Sequence, residues 1–201
     1  EVLTAWDRLG YPRRALRLQQ AAAAMVDRHG GKVPADPAAL RALPGVGEYT
    51  AAAVASFAFG IPETVVDTNV RRVLTRAVRG QGLPPKTLTR AEMRDAHTLM
   101  PAERERANRW NAAVMELGAL VCTARSPRCD DCPLLEQCAW VSAGRPEPEH
   151  TPRGQDWAGT DRQLRGAVMA AVREAGRVEV GAVRHAVAGT RLLGTHVPEE
   201  A

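Results

Sequence analysis

The sequence has 201 residues, of which 45% are hydrophobic, so it can bury a core in one ordinary domain or two small ones, and this excludes a disordered tail. Aromatic residues make up only 4%, whereas alanine, leucine and valine abound, a mixture that favours packed helices over the aromatic-rich strands of a sandwich. The formal net charge of +4 is carried mainly by arginine, which suits phosphate contacts, but so small an excess does not by itself show nucleic-acid binding.

The hydropathy of the sequence indicates the cellular location of the protein, and its first residues indicate how the chain begins. The chain has no apolar run of about eighteen residues and no charged-then-apolar leader, so we expect a soluble protein of the bacterial cytoplasm. It begins at Glu1 rather than at methionine, and Val2, Leu3, Trp6 and Leu9 are spaced to share one helical face. We therefore expect a fragment that starts inside a helix.

Helix start and stop signals divide most of the chain. Proline opens and paired glycines close a helix over 12–29, and Asp36 caps a short helix that begins at Pro37. The remaining predicted helices span 1–9, 49–59, 68–79, 102–121, 161–174 and 181–188, and one more runs to Met100 from a start at Thr87 or Thr89.

A proline–glycine hairpin joins two of these helices. Its residues are Pro44, Gly45, Val46 and Gly47, and the two glycines permit backbone shapes that turn amides outward and let a ligand approach the main chain. The helix over 49–59 follows directly and is rich in alanine, so another helix can lie close to it. The hairpin pattern alone is weak evidence for a phosphate-binding turn.

Asp67 stands between a short apolar stretch and the helix over 68–79. An aspartate at such a position usually caps the helix by accepting a hydrogen bond from its first amides, and the residues alone favour that interpretation. The helix presents three apolar residues to one face, Val70, Val73 and Leu74. Its other faces carry four arginines, Arg71, Arg72, Arg76 and Arg79.

All four cysteines fall in one stretch, with the pattern Cys122-x6-Cys129-x2-Cys132-x5-Cys138. In a reducing compartment such a group indicates a metal site rather than disulfides. Four thiolates can hold either a tetrahedral zinc ion or a 4Fe-4S cluster. The pattern leaves both open and, on general grounds, favours zinc, because paired Cys-x2-Cys motifs are its commonest signature.

Three motifs together resemble the helix-hairpin-helix DNA glycosylase superfamily. They are the LPGVG hairpin, the VDTNVRRV segment and the cysteine spacing directly after a helix ending in ELGALVC, and the resemblance covers about residues 1–140. It implies an all-α helix-hairpin-helix fold whose four cysteines hold a 4Fe-4S cluster, as in the endonuclease III and adenine glycosylase branches. It also implies a monomer that binds double-stranded DNA at a mismatched or damaged base pair, with the hairpin, Arg125 and Arg128 directed to phosphates.

The resemblance and the composition divide the chain into four parts. Residues 1–100 are expected to form a helical barrel subdomain with the hairpin, incomplete at its N-terminus, and residues 101–142 the iron–sulfur subdomain. Residues 143–160 form a polar, proline-bearing linker. Residues 161–201 form a small helical or truncated segment, which is too short to fold readily alone.

A glycosylase extrudes a base and must stabilise the positive charge that develops on the sugar as the glycosidic bond breaks. The resemblance gives that role to Asp67, with Asn69 holding or polarising its carboxylate. Relatives that also cut the strand use a lysine nucleophile two positions after the last glycine of the hairpin, where this chain has Tyr49, and neither Lys32 nor Lys86 lies in a matching motif. The resemblance therefore implies a monofunctional enzyme that uses water, with Tyr49 lining the pocket.

The tyrosine in GVGEYT, with LGYPRRA upstream and LGALVC before the cysteines, resembles adenine DNA glycosylases, which remove adenine mispaired with 8-oxoguanine or guanine. A thymine or uracil mismatch glycosylase stays open, as does a non-catalytic DNA-binding module in which Asp67 only caps and the cysteines hold zinc. In adenine glycosylases a glutamate from an N-terminal helix protonates the leaving base, and that helix would precede Glu1. We therefore expect this chain alone to bind DNA weakly and to release little or no adenine.

Overall fold

A computed structural model describes residues 1–7, 9–148, 159–176 and 181. In these parts of the chain the regular structure is helical and there is no β-strand, which confirms the predicted all-α class. The chain divides into two compact units, Glu1–Pro12 together with Pro152–Ala201, and Arg13–Thr151. The larger unit contains the hairpin, Asp67 and all four cysteines.

Most α-helices of the described residues agree with the predicted ones, whereas α8 was not predicted. They are α1 Val2–Trp6, α2 Arg13–His29, α3 Pro37–Arg41, α4 Glu48–Phe59, α5 Thr68–Ala77, α6 Arg90–Leu99, α7 Arg104–Leu120, α8 Ala139–Ser142 and α9 Asp161–Ala175. Two short 3-10 turns, Cys129–Asp131 and Leu135–Gln137, lie between α7 and α8.

Local signals explain where most helices begin and end. The Asp36 carboxylate accepts a hydrogen bond from the Ala39 amide at 2.7 Å and caps α3. Thr89 and Glu92 form a capping box at the start of α6. Gly60 ends α4 in a left-handed conformation with φ of 66°, which glycine adopts without steric cost.

The smaller unit departs from the prediction in one respect. The helix predicted over 1–9 ends at Trp6, because Asp7 adopts a positive φ of 44° that breaks the helical path. Leu9 is then 72% exposed instead of sharing the predicted apolar face. In α9 the Thr160 side chain caps the predicted start. Most of the helix predicted over 181–188 lies outside the described residues.

The larger unit has two apolar cores. The first lies between α2, α3 and α4, and its buried residues are Ala21, Ala24, Leu40, Leu43, Ala51 and Ala55. The second lies between α5, α6 and α7, and its buried residues are Val66, Val70, Val73, Ala96 and Val114. The small side chains of α4 therefore do bring neighbouring helices close, as the alanine-rich sequence predicted.

A buried amide connects these helices to the segment that leads into Asp67. Asn111 on α7 donates from Nδ2 to Ser56 Oγ at 3.1 Å and to the carbonyl of Glu63 at 2.8 Å. Its Oδ1 accepts from the Val65 amide at 3.4 Å. Because Asn111 is only 4% exposed, these bonds fix the course of residues 61–66 between two helices.

None of the described helices has the length and apolar character needed to cross a bilayer.

Candidate active site and cluster site

The hairpin before α4 has the backbone geometry that its glycines predicted. Gly45 has φ of 77°, and a Cβ atom placed on it would lie 2.6 Å from Cβ of Arg17, so a larger residue fits neither the backbone nor the space. Gly47 is the N-cap of α4 and offers no side chain to the first amides of the helix. Those amides and the positive end of the helix dipole are suited to an anion such as a phosphate.

Asp67 caps α5, as its position predicted. Its Oδ1 accepts a hydrogen bond from the Val70 amide at 2.7 Å, and its Oδ2 accepts one from Nδ2 of Asn69 at 3.0 Å. A carboxylate can accept about four hydrogen bonds, so capping does not exhaust it. Asp67 is partly buried, and its orientation is set by both of these partners.

Asn69 is held in turn by Arg72, one turn further along α5. Arg72 Nη2 donates to Asn69 Oδ1 at 2.8 Å and to the carbonyl of Gly118, while its Nε donates to the carbonyl of Cys122 at 2.6 Å. Burial lowers the pKa of Arg72, and the charges of Cys122 and Asp67 partly oppose that shift. A continuous series of hydrogen bonds therefore connects Asp67, through Asn69 and Arg72, to the backbone carbonyl of Cys122.

Gly118 makes this arrangement possible. A Cβ atom at this position of α7 would lie 2.7 Å from Cβ and 2.8 Å from the carbonyl oxygen of Asn69. The absence of a side chain lets α7 approach the start of α5 and offers the Gly118 carbonyl to Arg72. In the sequence, Gly118 stands out only as part of the ELGALVC motif, and no local signal indicates this role.

Tyr49 and Glu48 lie in the first turn of α4, after the hairpin. Tyr49 is 45% exposed, and Glu48 Oε2 lies 3.6 Å from Nη1 of Arg41 in an exposed ion pair. Among the described residues, no hydrogen bond or ion pair joins either of them to Asp67. The structure thus joins Asp67 and Asn69 by a hydrogen bond, and it places Tyr49 in α4 directly after the hairpin.

The four cysteines line one pocket, which is small and partly open to solvent. In the part of the chain that the structure describes, no three Cys, His, Asp or Glu side chains are arranged to hold a single metal ion. The donor set, four thiols around one pocket, fits a 4Fe-4S cluster. Burial raises the pKa of the Cys129 thiol, and the neighbouring cysteines add to that shift against the charge of Arg145.

Arg76 on α5 forms part of the pocket, although its sequence position predicted a place on one of the outer faces of the helix. It is only 4% exposed and lines the pocket with the cysteines and Trp140. Arg72 and Arg76 lie four residues apart and so share one side of the helix. That spacing was visible in the sequence, but the surface that this side meets was not.

The two arginines expected to point to phosphates differ in their surroundings. Arg125 is exposed. Arg128 is also exposed, but its Nη2 donates to the carbonyl of Leu120 at 2.9 Å and its Nη1 lies 3.7 Å from Oδ2 of Asp131. Arg128 therefore supports the loop with part of its guanidinium and presents the rest to solvent.

Known proteins resemble this chain in the same regions. A family model described as a helix-hairpin-helix motif matches residues 28–57, and one for the iron-sulfur binding domain of endonuclease III matches residues 122–138. An adenine DNA glycosylase of Mycolicibacterium smegmatis is 50% identical over 174 residues, which are 87% of this chain and 58% of the relative. The structure of a thermostable thymine-DNA glycosylase has a TM-score of 0.61 at 32% identity, covering 71% of this chain and 65% of that one. A trapped endonuclease III–DNA covalent intermediate has a TM-score of 0.57 at 32% identity, covering 68% and 62%.

The helical fold, the hairpin and the iron–sulfur loop together define the class: the chain belongs to the helix-hairpin-helix superfamily that includes endonuclease III. Within that superfamily it is a homologue of the adenine DNA glycosylases. The chain spans 58% of the length of the mycobacterial relative described above. The predicted 4Fe-4S cofactor is confirmed, and the zinc ion that the cysteine pattern alone favoured is not.

Proposed function

We propose that this protein is a DNA glycosylase of base-excision repair that removes adenine mispaired with 8-oxoguanine or guanine. The observation that carries the proposal is the carboxylate of Asp67, which the Val70 amide and Asn69 hold in one orientation. An oriented negative charge is what the breaking of a glycosidic bond requires. The choice of adenine rests on the 50% identity to an adenine DNA glycosylase.

In this proposal the partner is double-stranded DNA bound by a monomer. The hairpin of Pro44, Gly45, Val46 and Gly47 and the first amides of α4 take a backbone phosphate, because backbone N–H groups and a helix N-terminus favour anions. Arg125 and the solvent-facing part of Arg128 add charge beside the cluster. Because its proposed substrate is double-stranded DNA, the protein would act at the nucleoid, in the bacterial cytoplasm.

The proposed chemistry is hydrolysis of one carbon–nitrogen bond. As the bond between base and sugar breaks, the electron pair leaves with the base, and the Asp67 carboxylate stabilises the positive charge left on the sugar. Asn69 keeps Oδ2 of Asp67 in place. Water then adds to the sugar and gives up one proton, which balances the proton that the departing base takes up. Water is the nucleophile because Tyr49 lines the pocket for the extruded base, and a phenol cannot form the Schiff base that a lysine would form.

The cluster has a structural part in this proposal. Cys122, Cys129, Cys132 and Cys138 would hold it, and when bound it supplies the cross-link that shapes the loop of residues 122–138. Through Arg72 the same loop supports Asn69. No step of the base removal uses the cluster.

The test compares wild type with Asp67→Asn, in protein expressed from the complete reading frame. Asparagine caps a helix about as well as aspartate, so this change removes the charge and keeps the start of α5. We expect single-turnover release of adenine from an A:8-oxoguanine duplex to fall about 100-fold or more, with duplex binding nearly unchanged. Equal rates would refute the catalytic assignment.

The same assay separates the competing functions. Faster release of thymine from a T:G duplex than of adenine would favour a thymine mismatch glycosylase. Tight binding without release of any base would favour a non-catalytic helix-hairpin-helix module. Covalent trapping of the protein on DNA by borohydride would refute the monofunctional mechanism, because only a Schiff base is trapped in this way.

A further inference from the structure

The wall of the cluster pocket contains two side chains that base removal does not use. The guanidinium carbon of Arg76, on α5, lies 4.7 Å from the centre of the Trp140 ring, on α8. Both side chains line the pocket together with the four cysteines. A guanidinium over the face of an indole at this distance is a cation–π contact.

Arg76 also reaches the first cysteine directly. Its Nη1 lies 3.4 Å from Sγ of Cys122 and donates to the carbonyl of Thr123 at 2.7 Å. Its Nη2 donates to the carbonyl of Ala124 at 3.1 Å, and its Nε donates to the carbonyl of Gly82 at 3.0 Å. Every nitrogen of the guanidinium thus has a partner, so its plane is fixed and one face is left to the indole.

Trp140 is held on its other side. Its Nε1 donates to the carbonyl of Pro146 at 3.0 Å, and its own carbonyl accepts from the amide of Arg145 at 2.8 Å. A Cβ atom on Gly82 would lie 3.2 Å from the Pro146 carbonyl oxygen, so the loop after α5 packs closely on the chain after α8. The indole is therefore held by the Arg76 guanidinium at its face and by the Pro146 carbonyl at its Nε1 atom.

We infer that the Arg76–Trp140 pair protects the 4Fe-4S cluster against oxidation and raises its reduction potential. Hydrogen bonds to the ligating sulfurs, nearby charge and solvent exposure are factors that set the potential of such a cluster. A cationic N–H group at Cys122 stabilises the more negative, reduced form. Trp140 holds that cation in place and narrows the access of solvent. This inference rests on the presence of the cluster and not on which base the protein removes.

Oxidation of the purified holoprotein by ferricyanide tests the inference. Each ferricyanide accepts one electron from the cluster, and the loss of the cluster is followed by its visible absorbance. Trp140→Leu keeps apolar bulk but removes the aromatic face. We expect normal iron and sulfide content before oxidant is added, a lower reduction potential, and bleaching about two- to five-fold faster, the factor that corresponds to a modest cation–π contact.

Control variants separate this role from a general effect on folding. Trp6→Leu changes a tryptophan of the smaller unit and should bleach at the wild-type rate. Trp140→Phe keeps an aromatic ring over the guanidinium and should lie between wild type and Trp140→Leu. Arg76→Lys keeps the charge but lacks the planar fork, so we expect a lower potential and faster bleaching than wild type.

The double variant Arg76→Lys with Trp140→Leu decides whether the two residues act together. Each variant's bleaching rate is expressed relative to wild type. If Trp140 acts through Arg76, the relative rate of the double variant should be smaller than the product of the relative rates of the two single variants. A relative rate equal to that product would show that the two residues act independently and would overturn their proposed cooperation. Wild-type potential and wild-type bleaching in Trp140→Leu would overturn the inference as a whole, whether or not the protein releases adenine.

Discussion

The structural role of Asp67 is compatible with the chemical role proposed for it. Its two carboxylate oxygens have different partners, the Val70 amide for Oδ1 and the Asn69 side chain for Oδ2. The cap fixes where the carboxylate lies, and Asn69 fixes how it is turned. Interpreting Asp67 as a cap therefore does not compete with interpreting it as the charge that stabilises a sugar cation.

Arg72 should affect activity without touching the substrate, because it holds Asn69. We expect Arg72→Met to slow single-turnover base release about tenfold, the effect of losing roughly one hydrogen bond to a charged group. Arg79→Met is the matched control, because Arg79 lies two residues after the end of α5 and pairs with Asp95 at 2.7 Å. Equal losses of rate in the two variants would show that Arg72 has no particular link to Asp67.

At the scale of elements, α5 organises the larger unit. It packs on α6, α7 and α8. Its Arg71 bonds to Glu92 on α6, and its Arg72 and Arg76 bond to the chain around Cys122. Arg79, two residues after the end of α5, bonds to Asp95 on α6. The helix therefore carries Asp67 at its start and supports the cluster loop along its side. A change in its packing should reach both sites.

Gly118 should be essential to the packing of α5 on α7. Alanine is a better helix former than glycine by about 1 kcal/mol, so at an unconstrained position Gly118→Ala would stabilise the protein. Here the added methyl group would meet Asn69 at 2.7 Å. We expect a net destabilisation of roughly 1–3 kcal/mol from overpacking in urea unfolding, with slower base release. A gain in stability would show that α7 can move away at little cost.

The bond between α5 and α6 should depend on pH. Burial of Glu92 opposes its ionisation, but hydrogen bonds from Arg71 and Thr89 outweigh burial and hold the pKa of Glu92 below its ordinary value. A lowered carboxyl pKa contributes stability that is present above the unfolded-state pKa and is lost as pH falls through the folded-state pKa.

We expect Glu92→Gln to lower the free energy of unfolding by about 3 kcal/mol at pH 7, since it leaves the nearly buried Arg71 without its counter-charge. Urea unfolding should show this difference shrinking as the pH falls below about 4. Glu116→Gln, at an exposed position of α7, is the control and should change little. A difference that stays constant between pH 7 and pH 3 would contradict the assigned cause.

At the scale of the whole molecule, the loop from Cys122 to Cys138 depends on its cofactor. It contains two 3-10 turns of three residues each, and three of its four cysteines are only partly buried, so apolar packing gives it little support. Where ligands replace a core, metal binding and folding are coupled.

Loss of one cysteine should therefore unfold the loop as well as empty the site. We expect Cys132→Ser to lower the iron and sulfide content and to make the loop a site of rapid proteolysis, while α2, α3 and α4, which have their own core, stay protected. Zinc in place of iron and sulfide in the wild-type protein would contradict the cofactor. The measurement is metal and sulfide analysis together with limited proteolysis.

Much of this architecture follows from local features of the sequence. Asp36, Asp67 and Thr89 cap their helices through atoms within three residues of themselves, so propensity and capping rules located α3, α5 and α6. The same rules were wrong at Asp7, because a residue other than glycine at positive φ leaves no clear sequence signal. The hairpin, the carboxylate and the cysteines were recognisable because each is a short contiguous motif.

The sequence by itself determined the helices, the cap at Asp67 and the four cysteines, since each of these depends on neighbours in the chain. Only the tertiary structure decided what the arginines of α5 do. Arg72 and Arg76 bond to groups 46–50 residues away, and which partner they meet depends on the close approach that Gly118 allows between α5 and α7. Contacts between helices are set by packing geometry rather than by local propensity, and the connection between carboxylate and cluster is made of such contacts.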